Sequence, residues 1–120
     1  MAYTSFEELE VWKRGCRVAV EIYEMMKGCR DFGLKDQITR SAVSIASNIA
    51  EGAERDSKPE FIRFLNIAKG SAAELRTQLY IAQRIGTLTP SDTKTLITEL
   101  KQISAMLQGL ITSIRNQLKT

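Results

Sequence analysis

Apolar positions recur every three or four residues along most of this chain, which is the period of an α-helix. In the helix predicted near residues 33–55, one side is apolar: Leu34, Ile38, Ala42, Ile45, Ile49 and Ala53, widened by Val43, Ala46 and Ala50. A second stripe on this helix is polar: Gln37, Arg40, Ser41, Ser44, Asn48 and Glu51. Solvated stripes more often carry Lys and Glu, so these short side chains favour contact with another surface. The alternative is an ordinary helix surface, on which Ser and Ala are also common.

The first predicted helix begins at a capping box of Ser5 and Glu8 and ends near Gly28, because glycine suits a left-handed cap. Its apolar positions form two rows along the helix. One row comprises Leu9, Trp12, Cys16, Ala19, Tyr23 and Met26, and the other Val11, Val18, Ile22 and Met25. We expect four aromatic side chains to lie in the core and not in a ligand site: Trp12, Tyr23, Phe61 and Phe64.

The second helix is predicted over residues 34–53, and the third begins at a capping box of Ser57 and Glu60. Gly70 lies inside the third helix, where glycine costs about 1 kcal/mol relative to alanine. We therefore expect a neighbouring backbone to approach closely at Gly70. Gly86 ends this helix, and Thr89 with Asp92 marks the start of the fourth. The fourth helix carries a heptad-like row: Leu96, Leu100, Ile103, Leu107, Leu110, Ile114 and Leu118.

Four helices joined by short links place sequence neighbours antiparallel. The chain is therefore predicted to be all-α, an up-down-up-down four-helix bundle in a single domain spanning residues 1–120. No strand pattern competes with this fold. At 120 residues, the chain is long enough to bury one core without metal or disulfide support.

The residue composition argues against several kinds of catalytic and metal-binding site. The chain has no histidine, which removes His-based acid–base catalysis and most zinc sites. Cys16 and Cys29 are spaced for neither redox chemistry nor metal binding, so we expect no metal, no cofactor and no catalytic site. No signal peptide is visible and no apolar run approaches the ~18 residues that span a bilayer. We expect a cytoplasmic protein without a membrane partner.

The net charge of +3 is unevenly distributed. Residues 1–58 carry nine basic and ten acidic side chains, whereas residues 59–120 carry eight and four. Such a bias permits contact with nucleic acid without establishing it.

Three motifs resemble one known family. They are FxxLxVW (Phe6, Leu9, Val11, Trp12), SxxSNIAEG (Ser44 and residues 47–52) and AxGSxxEL (Ala68, Gly70, Ser71, Glu74, Leu75). With the spacing of Leu34, Gln37 and Arg40, they cover residues 6–88. The chain resembles the four-helix bundle proteins encoded in intervening sequences of bacterial 23S ribosomal RNA genes.

The resemblance implies a cytoplasmic bacterial protein that assembles as a homopentamer and has no established enzymatic activity. The accessory protein of diversity-generating retroelements is similar in architecture, and that basic pentamer works with a reverse transcriptase and nucleic acid. Binding of RNA or DNA is therefore the leading hypothesis, and a ring that binds a protein partner is the alternative. Two departures are residues 29–32 and Ala46, where the family often has proline. Neither threatens the fold, and Ala46 predicts a straighter second helix.

Two sets of residues are candidates for function. The predicted phosphate contacts are Arg55, Lys58, Arg63, Lys69, Arg76 and Arg84, for which solvated surface charge is the alternative. The predicted packing or oligomer contacts are Arg40, Ser44, Asn48, Glu51, Gly52, Gly70, Ser71 and Glu74. Catalysis by Asn48 and Glu51 lacks a nucleophile–base pair, and an ion pair of Glu51 with Arg40 or Arg55 is expected instead. The exposed aromatic side chains that could stack on bases are Tyr3, Phe32 and Tyr80.

Overall fold

The computed structural model describes residues 5–119 and confirms an all-helical chain with four α-helices. A single 3₁₀ turn at Phe6–Glu8 precedes them. The α-helices are α1 (Glu10–Met25), α2 (Phe32–Ala53), α3 (Lys58–Arg84) and α4 (Pro90–Gln117). Within the described residues no strand is present, and the helices form an elongated body of 51 × 20 × 19 Å.

The start of the first helix differs from the prediction. The Ser5 hydroxyl accepts a hydrogen bond from the backbone N–H of Glu7 at 3.1 Å, so it caps the 3₁₀ turn and not an α-helix. Leu9 then has extended backbone angles (φ −73°, ψ 124°), and α1 begins at Glu10. The chain therefore changes direction once before α1.

The other helix starts follow local sequence signals. The Asp31 carboxylate accepts from the N–H of Leu34 at the start of α2, which begins two residues earlier than predicted. The Ser57 hydroxyl accepts from the N–H of Glu60 at 3.2 Å. At α4 the box is reciprocal, because Asp92 N–H donates to Thr89 Oγ1 and Thr89 N–H donates to Asp92 Oδ2. Each contact satisfies an amide that a helix start leaves without a partner.

The link between α3 and α4 contains the one positive φ among the described residues, at Gly86 (φ 83°). This left-handed conformation favours glycine because it has no Cβ. The N–H groups of Thr87 and Leu88 both donate to the Ala82 carbonyl, which closes the end of α3. Gly86 therefore ends α3 as predicted.

One apolar core is shared by the four helices. It includes most of the apolar side predicted for α2 and most of the row predicted for α4, whereas Val43 on α2 is exposed. On α1, however, the buried row is the second of the two predicted rows: Val11, Val18 and Ile22, joined by Gly15 and Met26. Apart from Met26, the first row lies at the edge of the core or is exposed. The prediction that Tyr23 is core is wrong, because it is 51% exposed. Leu118 at the end of the α4 row is also exposed.

Cross-helix contacts give the direction of two helix pairs. Ser44 contacts Ser71, whereas Gly52 lies against Phe61 and Phe64, so α2 and α3 run antiparallel. Side-chain contacts between α3 and α4 join Lys69 to Gln108 and Gln83 to Thr93, so these helices are antiparallel as well. α1 packs against α2 and α4, which closes the arrangement of four helices around the core. The packing is that of a four-helix bundle.

Candidate functional site

The contact between α2 and α3 is closest at Gly52, inside the SNIAEG motif. A Cβ at this position would lie 2.6 Å from the Phe64 Cβ and 3.1 Å from Phe61 Cδ1. Real Cβ atoms do not approach a carbon so closely, so only glycine lets the two helices meet here. The close approach that was predicted at Gly70 is wrong within the chain: Gly70 is exposed, and a Cβ there would meet nothing within 4 Å.

Two turns earlier, a polar network joins the same two helices. The Ser44 and Ser71 hydroxyls are 2.8 Å apart, and Ser71 is only 8% exposed. The Asn48 amide donates to the Ser44 carbonyl and to Ser44 Oγ, both at 2.8 Å. Asn48 therefore bonds within its own helix and orients Ser44 toward Ser71. Ser44 and Asn48 belong to the polar stripe that the sequence predicts on α2. This part of the stripe therefore forms a contact between α2 and α3.

The ion pairs on α2 are local. Arg55 Nη2 contacts Glu51 at 2.8 Å, which is one of the two predicted pairings. The other is wrong within the chain, because Arg40 Nε instead contacts Asp36, at 3.1 Å from Oδ2. Arg40 and Glu51 are three turns apart along α2, whereas each actual pair spans four residues, which is one helical turn. Both pairs are exposed.

A cleft of about 250 Å³ opens between α2 and α3 beside the serine contact, and we call it the α2–α3 cleft. Its lining residues are Gln37, Arg40, Ser41, Ser44, Glu74 and Gln78. Gln78 is only 8% exposed, and its Oε1 is a buried acceptor without a hydrogen bond within residues 5–119. Leaving such a group without a partner costs about 1–3 kcal/mol. Nothing in the sequence indicates this feature, because glutamine is common at solvent-facing positions of helices.

The structure divides the six predicted phosphate-binding cations into two groups. Arg55 and Arg63 belong to the first: they pair with Glu51 and Glu60, and both guanidinium groups lie over the Phe64 ring at 4.8 and 4.5 Å. Lys58, Lys69, Arg76 and Arg84 belong to the second, and within residues 5–119 none of these four forms an ion pair. Lys69 donates to the Gln108 side chain at 2.5 Å.

Three members of the second group lie on the side of α3 that is next to α4, and Arg84 lies about 80° farther around the helix, beyond Tyr80. At about 100° per residue, Lys58, Lys69 and Arg76 fall within about 20° of one another around α3. Lys69 contacts Gln108, and two turns away along both antiparallel helices Arg76 lies level with Lys101. Residues spaced by seven lie on nearly the same side of a helix. Lys94, Lys101 and Arg115 therefore lie on the same side of α4 as Gln108, and all three are exposed.

We call the resulting surface the basic face, formed by Lys58, Lys69, Arg76, Arg84, Lys94, Lys101 and Arg115. The four carboxylates of residues 59–120 lie elsewhere. Glu60 pairs with Arg63 and Glu99 with Arg14, Asp92 caps α4, and Glu74 lines the α2–α3 cleft. The α4 cations were missed from the sequence because the register between α3 and α4 is not a local signal.

Aromatic side chains are sparse on this surface. Tyr80 lies on α3 one turn from both Arg76 and Arg84 and is 45% exposed. Phe32 is exposed as predicted, at the start of α2. Tyr3 lies outside the described residues. The basic face thus offers one aromatic ring among seven cations.

The most buried ion pair among the described residues joins α1 to α4. Arg14 Nε and Nη2 each contact a different oxygen of Glu99 at 2.6 Å. The hydrogen bond from Arg14 lowers the pKa of Glu99 and raises that of Arg14. The sequence did not single out either residue. Their fixed geometry makes this pair a structural clamp between two helices.

A second, apolar cleft of about 390 Å³ lies between α1 and α2. It is lined by Trp12, Cys16, Ala19, Val20, Val43, Ala46, Ser47 and Ala50. Val20 and Val43 are 62% and 41% exposed. The first apolar row of α1 therefore lines a surface, and α2 continues without interruption through Ala46.

Three further features bear on possible functional sites: groups of metal ligands, membrane-spanning helices and cysteine residues. Among residues 5–119, no three acidic, cysteine or histidine side chains are grouped so as to hold a metal ion. In the same part of the chain, no helix is both long and apolar enough to cross a bilayer. Cys16 is partly buried, and burial raises the pKa of its thiol.

Known proteins provide a comparison for this fold. A family model described as "23S rRNA-intervening sequence protein" matches residues 7–109. Curated proteins give no match. The chain is similar to a crystal structure of a protein of unknown function from the S23 ribosomal protein family of Bacteroides thetaiotaomicron, with 28% identity and a TM-score of 0.79. That similarity covers 84% of this chain and 97% of the other. The match of the family model extends from the 3₁₀ turn into α4, so the chain belongs to the 23S rRNA-intervening sequence protein family.

Proposed function

We propose that this chain is a non-enzymatic, cytoplasmic homo-oligomer, a pentamer, that binds the backbone of RNA or DNA. The observation that carries the proposal is the basic face, in which seven cations share one surface and the carboxylates of residues 59–120 lie elsewhere. Lys and Arg bind phosphates by releasing condensed counterions, and this attraction is independent of sequence.

The dimensions of the basic face suit a nucleic-acid backbone. From Lys58 to Arg84 the cations follow α3 for about 40 Å at 1.5 Å per residue. That length matches about one turn of a duplex, whose full turns recur every 34–36 Å. Tyr80, between Arg76 and Arg84, offers a ring for a base or sugar. Contacts of this kind favour affinity without base recognition.

Assembly would strengthen the attraction. A pentamer of chains with net charge +3 carries +15, and phosphate contacts from several copies add along one strand. Large apolar side chains exposed on α1, α2 and α3 support a second copy as partner, because isolated soluble domains rarely expose extended apolar patches. They include Val20, Tyr23, Val43, Ile67, Ile81 and Ile85.

Fluorescence anisotropy with labelled duplex RNA, duplex DNA and single-stranded RNA across a NaCl series tests the proposal. We expect log K to fall linearly with log salt, with a slope of about −0.9 per neutralised duplex phosphate. The double variant Arg76→Gln/Lys101→Gln should weaken binding and make the slope less negative by about 1–2.

The matched control is Arg55→Gln/Arg63→Gln, which removes the same charge from cations already paired with Glu51 and Glu60. We expect this control to lose less affinity than Arg76→Gln/Lys101→Gln. Equal losses for the two double variants would contradict the assignment of the basic face. No binding at low salt would contradict the nucleic-acid role, and a monomer mass by light scattering at micromolar concentration would contradict the oligomer.

The second candidate function is a protein–protein adaptor, and the apolar α1–α2 cleft favours it. Exposed Val20 and Val43 flank this cleft, and it could receive the apolar face of a partner helix. Affinity capture from native cells distinguishes the two functions. An adaptor should retain a stoichiometric protein after nuclease treatment, and its capture should fail for Val20→Lys. A nucleic-acid binder should lose co-purifying material to nuclease.

A further inference from the structure

Among the hydrogen-bond acceptors that line the α2–α3 cleft, two neighbouring ones on α3 have no partner within residues 5–119. One is Gln78 Oε1, which is buried. The other is the carboxylate of Glu74, one helical turn earlier on α3, which forms no ion pair or hydrogen bond within the same residues. Both residues line the cleft. Their side chains are neighbours, because residues four apart on a helix have Cβ atoms about 5–6 Å from each other.

Two other polar residues that line the cleft, Ser44 and Arg40, already have partners. Asn48 donates to Ser44, and Ser44 and Ser71 share one hydrogen bond. Arg40 pairs with Asp36 outside the cleft, so the two charges of that pair offset each other. Glu74 is exposed, and its carboxylate has no countercharge within residues 5–119. A ligand that satisfies both Glu74 and Gln78 Oε1 would supply N–H donors and a positive charge.

We propose that the α2–α3 cleft binds a guanidinium group, presented as an arginine side chain by a second copy of this chain. A guanidinium is planar, carries five N–H donors and no acceptor, and remains charged at neutral pH. It can therefore donate to the exposed Glu74 carboxylate and, after rotation of the buried Gln78 side chain toward the cleft, to Gln78 Oε1 as well. The cleft of about 250 Å³ equals the liquid volume of roughly eight waters, which accommodates the planar group and its aliphatic stem.

The chain itself carries suitable donors. Four arginines form no ion pair within the part of the chain that the structure describes, namely Arg30, Arg76, Arg84 and Arg115. Arg30 lies in the link between α1 and α2, off the basic face, so it can serve a subunit contact without competing with phosphate. This inference rests on the proposed homo-oligomer and names one of its contacts.

Sedimentation velocity of the full chain over a dilution series tests the cleft. We expect wild type to be an oligomer, and Glu74→Gln and Gln78→Leu to dissociate at concentrations about tenfold higher or more. Glu74→Gln removes the negative charge that a cationic donor would meet, and Gln78→Leu removes an acceptor. The matched control is Glu54→Gln, an exposed carboxylate at the end of α2 and outside the cleft. It should keep the wild-type mass at every concentration.

Urea unfolding separates loss of the ligand from damage to the fold. Gln78→Leu removes a buried acceptor without a partner, so the dissociated chain should unfold at the same urea concentration as wild type or a higher one. Weaker assembly with an unchanged or higher midpoint supports the cleft as a binding site. A Gln78→Leu chain that keeps the wild-type mass distribution overturns it.

Arginine variants identify the donor. Arg30→Gln is tested first, followed by Arg76→Gln, Arg84→Gln and Arg115→Gln. One of these arginine variants should weaken assembly as strongly as Glu74→Gln does. Combined with Glu74→Gln, that variant should weaken assembly little further, which is the signature of a direct pair. If all four retain wild-type assembly, the second copy is not the source of the guanidinium. A wild-type oligomer unaffected by any cleft variant overturns this inference alone, whereas a monomeric wild type overturns the proposed oligomer as well.

Discussion

The side of α3 that faces α2 (the α2 flank) and the side that faces α4 (the α4 flank) differ in how they contact the neighbouring helix. Toward α2, small or short side chains bring the helices together, with Gly52 against Phe64 and Ser44 against Ser71. Toward α4, long cations line the boundary, and side-chain contacts across it join Lys69 to Gln108 and Gln83 to Thr93. The α2 flank is fixed by steric fit and short hydrogen bonds. The α4 flank displays charge above an apolar core.

This contrast indicates where the chain can tolerate change. Close contacts lose free energy when a methyl group is added or a hydroxyl is removed. Solvated charges on one face repel one another and contribute little to folding. The α2 flank should therefore determine stability, whereas the α4 flank should determine binding of charged partners.

The largest expected effect tests the α2 flank with a pair of glycine variants. Gly52→Ala should lower the free energy of unfolding by about 1–3 kcal/mol, because the new Cβ overfills the contact with Phe64. Gly70→Ala adds the same methyl group where nothing lies within 4 Å, and it should raise stability by up to about 1 kcal/mol through helix propensity. Urea unfolding measures both. A Gly52→Ala protein as stable as wild type would remove the basis of the comparison.

A smaller effect is expected from the serine contact. Ser71→Ala should cost about 1 kcal/mol, because it leaves Ser44 without its partner across the helices. Gln108→Ala removes the exposed side-chain contact on the α4 flank and should change stability by less than about 0.5 kcal/mol. Equal losses for the two variants in urea unfolding would show that the flanks do not differ.

Acid should weaken the start of α4 on the charged flank. The backbone N–H of Thr89 donates to the Asp92 carboxylate and lowers the pKa of Asp92. A lowered folded-state pKa stabilises the protein above the unfolded-state pKa of about 3.9, and this contribution disappears as pH falls through the folded-state value. Asp92→Asn should therefore lose less stability than wild type between pH 6 and pH 2. Parallel profiles from urea unfolding at each pH would contradict this role of Asp92.

The smallest effect concerns charge on the α4 flank itself. Lys101→Gln should stabilise the protein by about 0.2–0.5 kcal/mol at low ionic strength, because it relieves repulsion on the basic face. Arg55→Gln should have the opposite sign and a similar size, since it breaks the pair with Glu51. Both differences should shrink in 1 M salt, where the Debye length is about 3 Å. A stabilising effect of Arg55→Gln would contradict the assignment.

Local signals in the sequence were sufficient for much of the fold. The number of helices, the caps at Ser57 and Thr89, and the end of α3 before Gly86 were all predicted and are confirmed. These features depend on residues within one turn of each other. The sequence does not rank the two apolar rows of α1, because only the neighbouring helices decide which row is buried.

Contacts between helices account for the other errors. Gly70 and Gly52 look alike in sequence, and the presence of Phe64 opposite Gly52 is what distinguishes them. The α4 part of the basic face and the orphan acceptor of Gln78 likewise depend on how α3 sits between its neighbours. The six cations and eight packing residues named from the sequence remain predictions as functional residues, although the structure now shows which of them already have partners.

The one-sided position of the basic face gives the molecule a transverse electric dipole. Residues 1–58 carry slightly more acidic than basic side chains, whereas seven cations lie along α3 and α4 on one long side. A charged polymer at a distance would exert a torque on such a body and turn that side toward itself before contact. Added salt should therefore slow the capture of a polyanion more than it shortens the lifetime of the complex.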